Sequence, residues 1–174
     1  WRRLNDNAEK LGVDLSEFSK EKVKNALAEL IEKNKAKNAR ARITFFDEGA
    51  SRIWQFETNR NTSLLVKTAD SRKTTENFGL TISAFLVNST SPLAGVKSCN
   101  YLENLLALEE AQKRGFSEAL RVNQRGEMVG ACMANIFWLK DGKLFTPSLK
   151  TGCLAGTTRE FVLENRKCFE VEEK

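Results

Sequence analysis

None of the 174 residues is histidine, and this limits the chemistry that the chain can perform. A general base must therefore be a lysine, aspartate, glutamate, tyrosine or cysteine. This excludes Ser-His-Asp and Cys-His hydrolases. The cysteines form no CxxC pair, so no metal site is expected, and free thiols in a reducing, cytoplasmic setting are the better interpretation. They are Cys99, Cys132, Cys153 and Cys168.

Two short segments stand out because their residues could take part in chemistry. Lys97 lies among small and apolar residues (VKSCN, 96–100), unlike the lysines between residues 20 and 37. Taken alone, Lys97 would be one of many surface lysines, because a lysine that acts as a neutral amine needs surroundings that disfavour its charge. The second segment, Gly156-Thr157-Thr158, opens a predicted helix whose N-terminal N–H groups suit a phosphate. Taken alone, it is more typical of an ordinary helix capped by threonine.

The elements predicted before residue 78 are helices followed by strands. A first amphipathic helix ends at Gly12, and a second is expected to open at Asp14 and run past Ile31. After Asn38 the pattern changes to short strands rich in β-branched and aromatic residues. These are predicted at 41–46, 54–57 and 64–68. The polar segment 68–77 (TADSRKTTEN) has no periodicity and is the predicted interdomain linker.

The elements predicted after residue 78 must hold the two chemical segments. A strand over 80–87 leads into a loop that delivers Lys97, and a strong helix over 101–114 follows. The apolar positions expected on the inner side of that helix are Leu102, Leu105, Leu106, Leu108 and Ala111. Further strands are predicted at 119–122 and within 128–139. Asp141-Gly142 is a strong hairpin signal, and the last helix opens at Gly156.

Bulk properties exclude several classes of protein. The net charge of +5 fits a solvated surface with a modest excess of lysine, or attraction of anionic small molecules. Nucleic-acid binding is not expected, because the aromatic residues are not interleaved with the basic ones. No run of about 18 apolar residues predicts a membrane span. The start, WRRLN, lacks the apolar core of a signal peptide and indicates a chain that opens within a helix.

Four segments in fixed order carry a resemblance to a known family. They are VKSCNYLENLLALEEAQKRGFSEAL (96–120), GEMVGACMANIFWLKDG (126–142), LFTPSL (144–149) and GCLAGTTREFVLE (152–164). Together they resemble the class IV pyridoxal-phosphate enzymes, which include branched-chain and D-amino-acid aminotransferases and 4-amino-4-deoxychorismate lyases. The resemblance extends over about residues 1–165 and is densest from 92 to 164.

The resemblance implies a site for pyridoxal 5'-phosphate. Lys97 matches the Schiff-base lysine, and Tyr101 matches a position near the phenolic oxygen of the cofactor in the branched-chain enzymes. The KxxN pattern formed by Lys97 and Asn100 is more similar to the D-amino-acid aminotransferase and lyase branches of the family. The alternative interpretation is that Tyr101 is a core residue of the amphipathic helix and does not contact the cofactor. The cofactor-binding turn and its neighbouring strand match at Asn135, Leu154, Gly156, Thr157 and Thr158.

One position departs from the family pattern. The family carries a glutamate for the pyridine nitrogen five residues before the position of Asn135, and here that residue is Gly130. Glu127 lies three residues earlier, so on a regular strand it faces the other way unless a bulge intervenes. Three interpretations stay open. In the first, another group or a water molecule hydrogen-bonds the ring nitrogen. In the second, the enzyme uses a less electron-withdrawing cofactor. In the third, the chain is a weak or inactive relative.

The implied fold is α+β, the two-domain pyridoxal-phosphate fold type IV (D-amino-acid aminotransferase-like), truncated at both ends. A small N-terminal α/β domain is expected over 1–70 and a cofactor-binding domain over 78–174, both incomplete. The family works as homodimers. The resemblance implies amino-group transfer between an amino acid and a 2-oxo acid, with 4-amino-4-deoxychorismate lyase as the alternative. A non-catalytic binding protein on the same scaffold is the third hypothesis.

Overall fold

A computed structural model describes residues 1–48, 61–71 and 77–174. The chain divides into two compact units, Trp1–Lys73 and Thr74–Lys174. The predicted strand at 54–57 and the middle of the predicted linker, 72–76, lie outside the described residues. The domain limits of 1–70 and 78–174 stay a prediction. Within the described ranges, no helix is long and apolar enough to cross a membrane.

In its described residues, the first unit pairs two helices with a two-stranded antiparallel ribbon. Its elements are α1 (Arg2–Leu11), α2 (Lys20–Lys33), β1 (Ala39–Asp47) and β2 (Thr62–Asp70). Gly12 ends α1 in the left-handed conformation, with φ 64°. The ribbon runs from the pair Ala39 and Asp70 to the pair Asp47 and Thr62. Residues 68–70 therefore belong to β2, and their assignment to the linker was wrong.

The predicted opening of the second helix at Asp14 was also wrong. The Asp14 carboxylate accepts hydrogen bonds from the Ser16 N–H at 2.9 Å and the Ser16 hydroxyl at 3.0 Å, which hold a turn there. The helix begins only at Lys20. Its cap is Ser19, whose hydroxyl accepts a hydrogen bond from the Lys22 N–H at 3.1 Å.

From residue 77 onward, the second unit contains two three-stranded sheets and two α-helices. The first sheet has the order β3 (Leu80–Ile82), β4 (Glu118–Val122), β5 (Met128–Ala131), and the second has the order β6 (Trp138–Lys140), β7 (Lys143–Pro147), β8 (Cys168–Val171). In each sheet one pair is parallel, β3 with β4 and β7 with β8. The helices are α3 (Leu102–Lys113) and α4 (Thr157–Asn165), and a 3₁₀ turn spans Leu149–Thr151.

Two predictions for the second unit need correction. The strand expected over 80–87 stops at Ile82, because the buried Ser83 hydroxyl accepts a hydrogen bond from the Phe85 N–H at 3.1 Å and bends the chain. Beyond the bend, Val87 forms an isolated parallel bridge with Asn123, the residue that follows β4. The strands predicted within 128–139 belong to two different sheets, with β5 in one and β6 in the other.

The core of the second unit lies between α3 and β4. Ala107, Leu108 and Ala111 of α3 are buried against Ala119 and Cys132. The other apolar positions of α3 point outward, so the prediction that they lie inside was wrong. Leu102, Leu105 and Leu106 are 63%, 52% and 45% exposed. Because they are three and four residues apart, they form one apolar face on the outside of the helix.

Candidate active site

Lys97 lies at the end of a loop that leads into α3. Gly95 takes the left-handed conformation, with φ 73°, two residues before it. The Lys97 side chain is exposed, so the small residues around it do not enclose it. Its amine donates a hydrogen bond to the Tyr101 hydroxyl and lies 4.0 Å from the centre of the Tyr101 ring. The structure therefore brings together two residues that the sequence had singled out.

The turn before α4 presents an uncapped helix end. The N-cap residue is Gly156, and no side chain caps the helix. The alternative of an ordinary threonine-capped helix was therefore wrong. Thr157 and Thr158 follow as the first two helical residues, and both are exposed. An uncapped helix N-terminus with exposed hydroxyl groups beside it is suited to bind an anion.

Asn135 shapes the turn that leads to this helix end. Its Nδ2 donates a hydrogen bond to the Leu154 carbonyl at 2.8 Å. Its carboxamide also fills the space beside Gly156, where a Cβ would overlap Oδ1 and lie 2.9 Å from Cγ. A larger residue at position 156 would therefore displace the Asn135 carboxamide, which the hydrogen bond to Leu154 holds in place. The predicted residues Asn135, Leu154 and Gly156 form one contact group.

The Lys97 loop packs against the segment that leads to α4. A Cβ at Gly95 would lie 3.4 Å from the Cys153 carbonyl oxygen. Gly152, with φ 90°, approaches Ser89 so closely that a Cβ there would lie 3.0 Å from the Ser89 Cα. The chain segments that carry Lys97 and Thr157 are therefore neighbours in the second unit.

The position of the missing glutamate faces a buried arginine. Gly130 is paired with Arg121 across β4 and β5, and directly paired residues share a face of the sheet. Arg121 is 2% exposed. Its guanidinium donates to Asn104 Oδ1 at 2.7 Å and to the Phe85 carbonyl at 3.1 Å. A Cβ at Gly130 would lie 3.2 Å from the Ala134 carbonyl oxygen, so the site is also tight.

Glu127 does not take over the role of the missing carboxylate. A bulge does intervene, because Arg121 pairs with Gly130 while Val122 pairs with Met128, which leaves Val129 as an extra residue. The Glu127 carboxylate is nevertheless held elsewhere, by the Arg125 guanidinium at 2.7 and 2.9 Å. Hydrogen bonds from Arg125 and then Asn123 lower the pKa of Glu127 from 4.5 to about 2. The same pairing raises the pKa of Arg125.

Glu118 is a buried group that the sequence did not single out. Its carboxylate accepts hydrogen bonds from the N–H groups of Cys132 at 3.1 Å and Met133 at 3.3 Å. It thereby fixes the turn between Gly130 and Asn135. Burial, and then the hydrogen bond with Glu118, raise the pKa of the Cys132 thiol to about 11. The sequence could not indicate this role of Glu118, because the N–H groups that it binds lie 14 and 15 residues later in the chain.

Comparison with known proteins gives the family. The model of the class IV amino-transferases matches residues 1–174. An aminodeoxychorismate lyase from Vibrio harveyi is 42% identical over 72 residues, which are 41% of this chain and 27% of that protein. A branched-chain-amino-acid aminotransferase from Escherichia coli K12 is 33% identical over 84 residues, which are 48% of this chain and 27% of that protein.

The fold also matches solved structures. A branched-chain aminotransferase from Thermoproteus uzoniensis, crystallised with norvaline, superposes with a TM-score of 0.88 at 24% identity. The superposition covers 99% of this chain and 61% of that one. This chain thus spans less than two thirds of the solved relative, and it aligns with about a quarter of the two curated relatives. With the family model matched from residue 1 to residue 174, the chain belongs to the class IV aminotransferase family.

Proposed function

We propose that the whole protein is a pyridoxal-phosphate-dependent enzyme that transfers an amino group between an amino acid and a 2-oxo acid. The observation that supports this most directly is the contact between the Lys97 amine and the Tyr101 hydroxyl, in a loop packed against the segment that leads to the uncapped end of α4. A covalent anchor and a phosphate anchor in neighbouring segments are what this cofactor needs.

The residues around the site fit most of the cofactor. Lys97 would hold the aldehyde end and Tyr101 the phenolic oxygen next to it. The N-terminus of α4, with the Thr157 and Thr158 hydroxyl groups, would hold the phosphate. Leu154 would pack on the ring, with its position fixed by the hydrogen bond from Asn135. The ring nitrogen is the exception, since Gly130 offers it no carboxylate.

The proposed roles in catalysis belong to two side chains. When bound, pyridoxal phosphate supplies an aldehyde that bonds amines and a ring that takes up electrons. The Lys97 Nζ is the base that removes a proton from the substrate Cα. Tyr101 orients that amine through the hydrogen bond between them.

A second candidate function is 4-amino-4-deoxychorismate lyase, which releases pyruvate and needs no 2-oxo acid acceptor. The lyase from Vibrio harveyi, at 42% identity over 72 residues, supports it. The segment 132–138 (CMANIFW) and the KxxN spacing at Lys97 also resemble the lyase branch. The two candidates would use the same lysine and the same cofactor, so they differ in the substrate and in whether a 2-oxo acid accepts the amino group.

One assay separates these functions. The full chain, loaded with pyridoxal phosphate, is given either an amino acid with 2-oxoglutarate or 4-amino-4-deoxychorismate alone. Formation of glutamate supports the aminotransferase, and pyruvate release from the second substrate supports the lyase. If neither product forms while the cofactor is bound, the chain is a weak or inactive relative, as the glycine at 130 would allow.

The proposed enzyme is a cytoplasmic homodimer that acts on small molecules and binds neither nucleic acid nor membrane. The wide spacing of the four cysteines in the sequence, with no CxxC pair, supports a reducing compartment. The exposed apolar face of α3, formed by Leu102, Leu105 and Leu106, supports burial against a second copy.

A further inference from the structure

The turn between β4 and β5 contains a closed group of polar side chains, Asn123, Arg125 and Glu127, which we call the hairpin clamp. Arg125 donates to both Glu127 oxygens, from Nε to Oε1 at 2.9 Å and from Nη2 to Oε2 at 2.7 Å. The Asn123 Nδ2 donates to Glu127 Oε2 at 2.7 Å. Asn123 and Glu127 are buried, and the Arg125 side chain is 42% exposed. Two-point pairing of this kind fixes the orientation of both partners.

The hairpin clamp holds the start of the Lys97 loop. The Arg125 Nη1 donates to the Ser89 Oγ at 2.9 Å. The neighbouring Gln124 adds two bonds to the same residue, from its Nε2 to Ser89 Oγ at 2.9 Å and to its Oε1 from the Ser89 N–H at 3.0 Å. Ser89 is eight residues before Lys97 and begins the loop that delivers it.

The hairpin clamp also holds the segment that leads to α4. The Arg125 Nη2 donates to the Lys150 carbonyl at 3.1 Å, and the Asn123 Nδ2 donates to the Thr151 carbonyl at 3.1 Å. Both acceptors belong to the 3₁₀ turn, and Gly152, directly after it, lies against Ser89. One group of side chains therefore ties three segments together: the hairpin, the Lys97 loop and the approach to α4.

We infer that the hairpin clamp is a positioning device that sets the separation between the Lys97 amine and the N-terminus of α4. The inference rests on the proposed function, in which these two groups bind opposite ends of one cofactor. A ligand held at two points gains affinity only when both anchors stand at the right distance. Loosening the clamp therefore weakens ligands that use both anchors and spares ligands that use one.

The test compares three ligands in the full chain. Pyridoxal phosphate uses both anchors, pyridoxal has the aldehyde without the phosphate, and pyridoxine 5'-phosphate has the phosphate without the aldehyde. The variants are Glu127→Gln, which removes the charge of the clamp, and Ser89→Ala, which removes the hydroxyl that Arg125 and Gln124 contact. The matched control is Glu110→Gln, which removes a similar arginine–glutamate pair on α3, with Arg114 at 2.9 Å.

We expect both clamp variants to raise the Kd of pyridoxal phosphate by about tenfold or more. The Kd values of pyridoxal and pyridoxine phosphate should stay within about twofold, since each ligand has a single anchor. Glu110→Gln should leave all three unchanged. A merely structural role would instead weaken all three ligands together, and that result would overturn the inference.

Two further results would also count against it. If the unchanged chain prefers pyridoxal phosphate over both single-anchor ligands and this preference survives both clamp substitutions, the clamp inference is wrong and the proposed function stands. If the unchanged chain shows no such preference, the proposed function fails and the clamp inference fails with it. The ratio of affinities therefore separates the two claims.

Discussion

Asn135 is the residue on which the shape of the α4 turn depends. Its Nδ2 makes the hydrogen bond to the Leu154 carbonyl at 2.8 Å, and its carboxamide fills the space next to Gly156. Removal of the side chain leaves that half-buried carbonyl without this donor and opens a gap beside the glycine. We therefore predict that Asn135→Ala lowers the free energy of unfolding by about 1–3 kcal/mol, as measured by urea denaturation.

The matched control for that substitution is Asn165→Ala. Asn165 makes a bond of the same kind and length, from its Nδ2 to the Phe161 carbonyl at 2.8 Å, but it does so on the exposed surface of α4. Water replaces a donor there, so the expected loss is at most about 0.5 kcal/mol. Equal losses from the two substitutions would show that Asn135 has no special role in the turn.

The site residues differ in how far the sequence could predict them. Lys97, Asn135 and Gly156 stand in segments with a family pattern, and the structure places each within a contact group. The exposure of Lys97 was not predictable, because small neighbours in sequence need not enclose a side chain in space. Glu118 could not be found either, since the N–H groups that it accepts from belong to another turn.

At the scale of elements, the packing of α3 on β4 buries one cysteine thiol, whereas another cysteine, before α3, is exposed to solvent. Cys132 is buried there with its pKa raised to about 11, whereas Cys99 is exposed before α3. Compared with the ordinary value of 9.0, this shift alone reduces the thiolate fraction about 100-fold. We predict that Cys99 reacts with a thiol reagent at about pH 8 at least that much faster than Cys132, as measured by mass spectrometry of labelled peptides. Similar rates would contradict the packing of this core.

The β4–β5 hairpin should make the fold sensitive to acid. The Glu127 pKa is lowered from 4.5 to about 2 in the folded chain, so the unfolded chain binds more protons between these values. Its contribution to stability is therefore complete above about pH 4.5 and is lost as the pH falls through about 2. We predict that Glu127→Gln flattens this part of the stability curve, as measured by denaturation across that range. An unchanged slope would show that the Arg125–Glu127 pair is not formed in solution.

Local signals in the sequence predicted some elements well and others poorly. The turn at Asp141-Gly142 was predicted and is confirmed, because both residues have the positive φ angles, 50° and 71°, that a two-residue hairpin requires. The strand over 80–87 was predicted too long, since its apolar run gave no sign that Ser83 would bend the chain. The hairpin clamp joins residues up to 36 positions apart, and no local pattern reports such pairings.

At the scale of the whole molecule, the outer face of α3 predicts self-association. Leu102, Leu105 and Leu106 form an exposed apolar face that a second copy would cover. We predict that the full chain is a dimer by light scattering and that Leu105→Lys raises the dimer dissociation constant by at least about tenfold. The control is Leu139→Lys on β6, where a single leucine is 75% exposed. A monomeric protein, or equal effects of both changes, would contradict the proposed interface.

The central claim is that Lys97 bonds the cofactor. The most direct measurement is borohydride reduction of the full chain loaded with pyridoxal phosphate, followed by peptide mapping in a mass spectrometer. We predict that the phosphopyridoxyl group is found on Lys97 and that Lys97→Ala abolishes the reducible visible absorption band. A label on other lysines with Lys97 unmodified, or a band that persists in Lys97→Ala, would contradict the account.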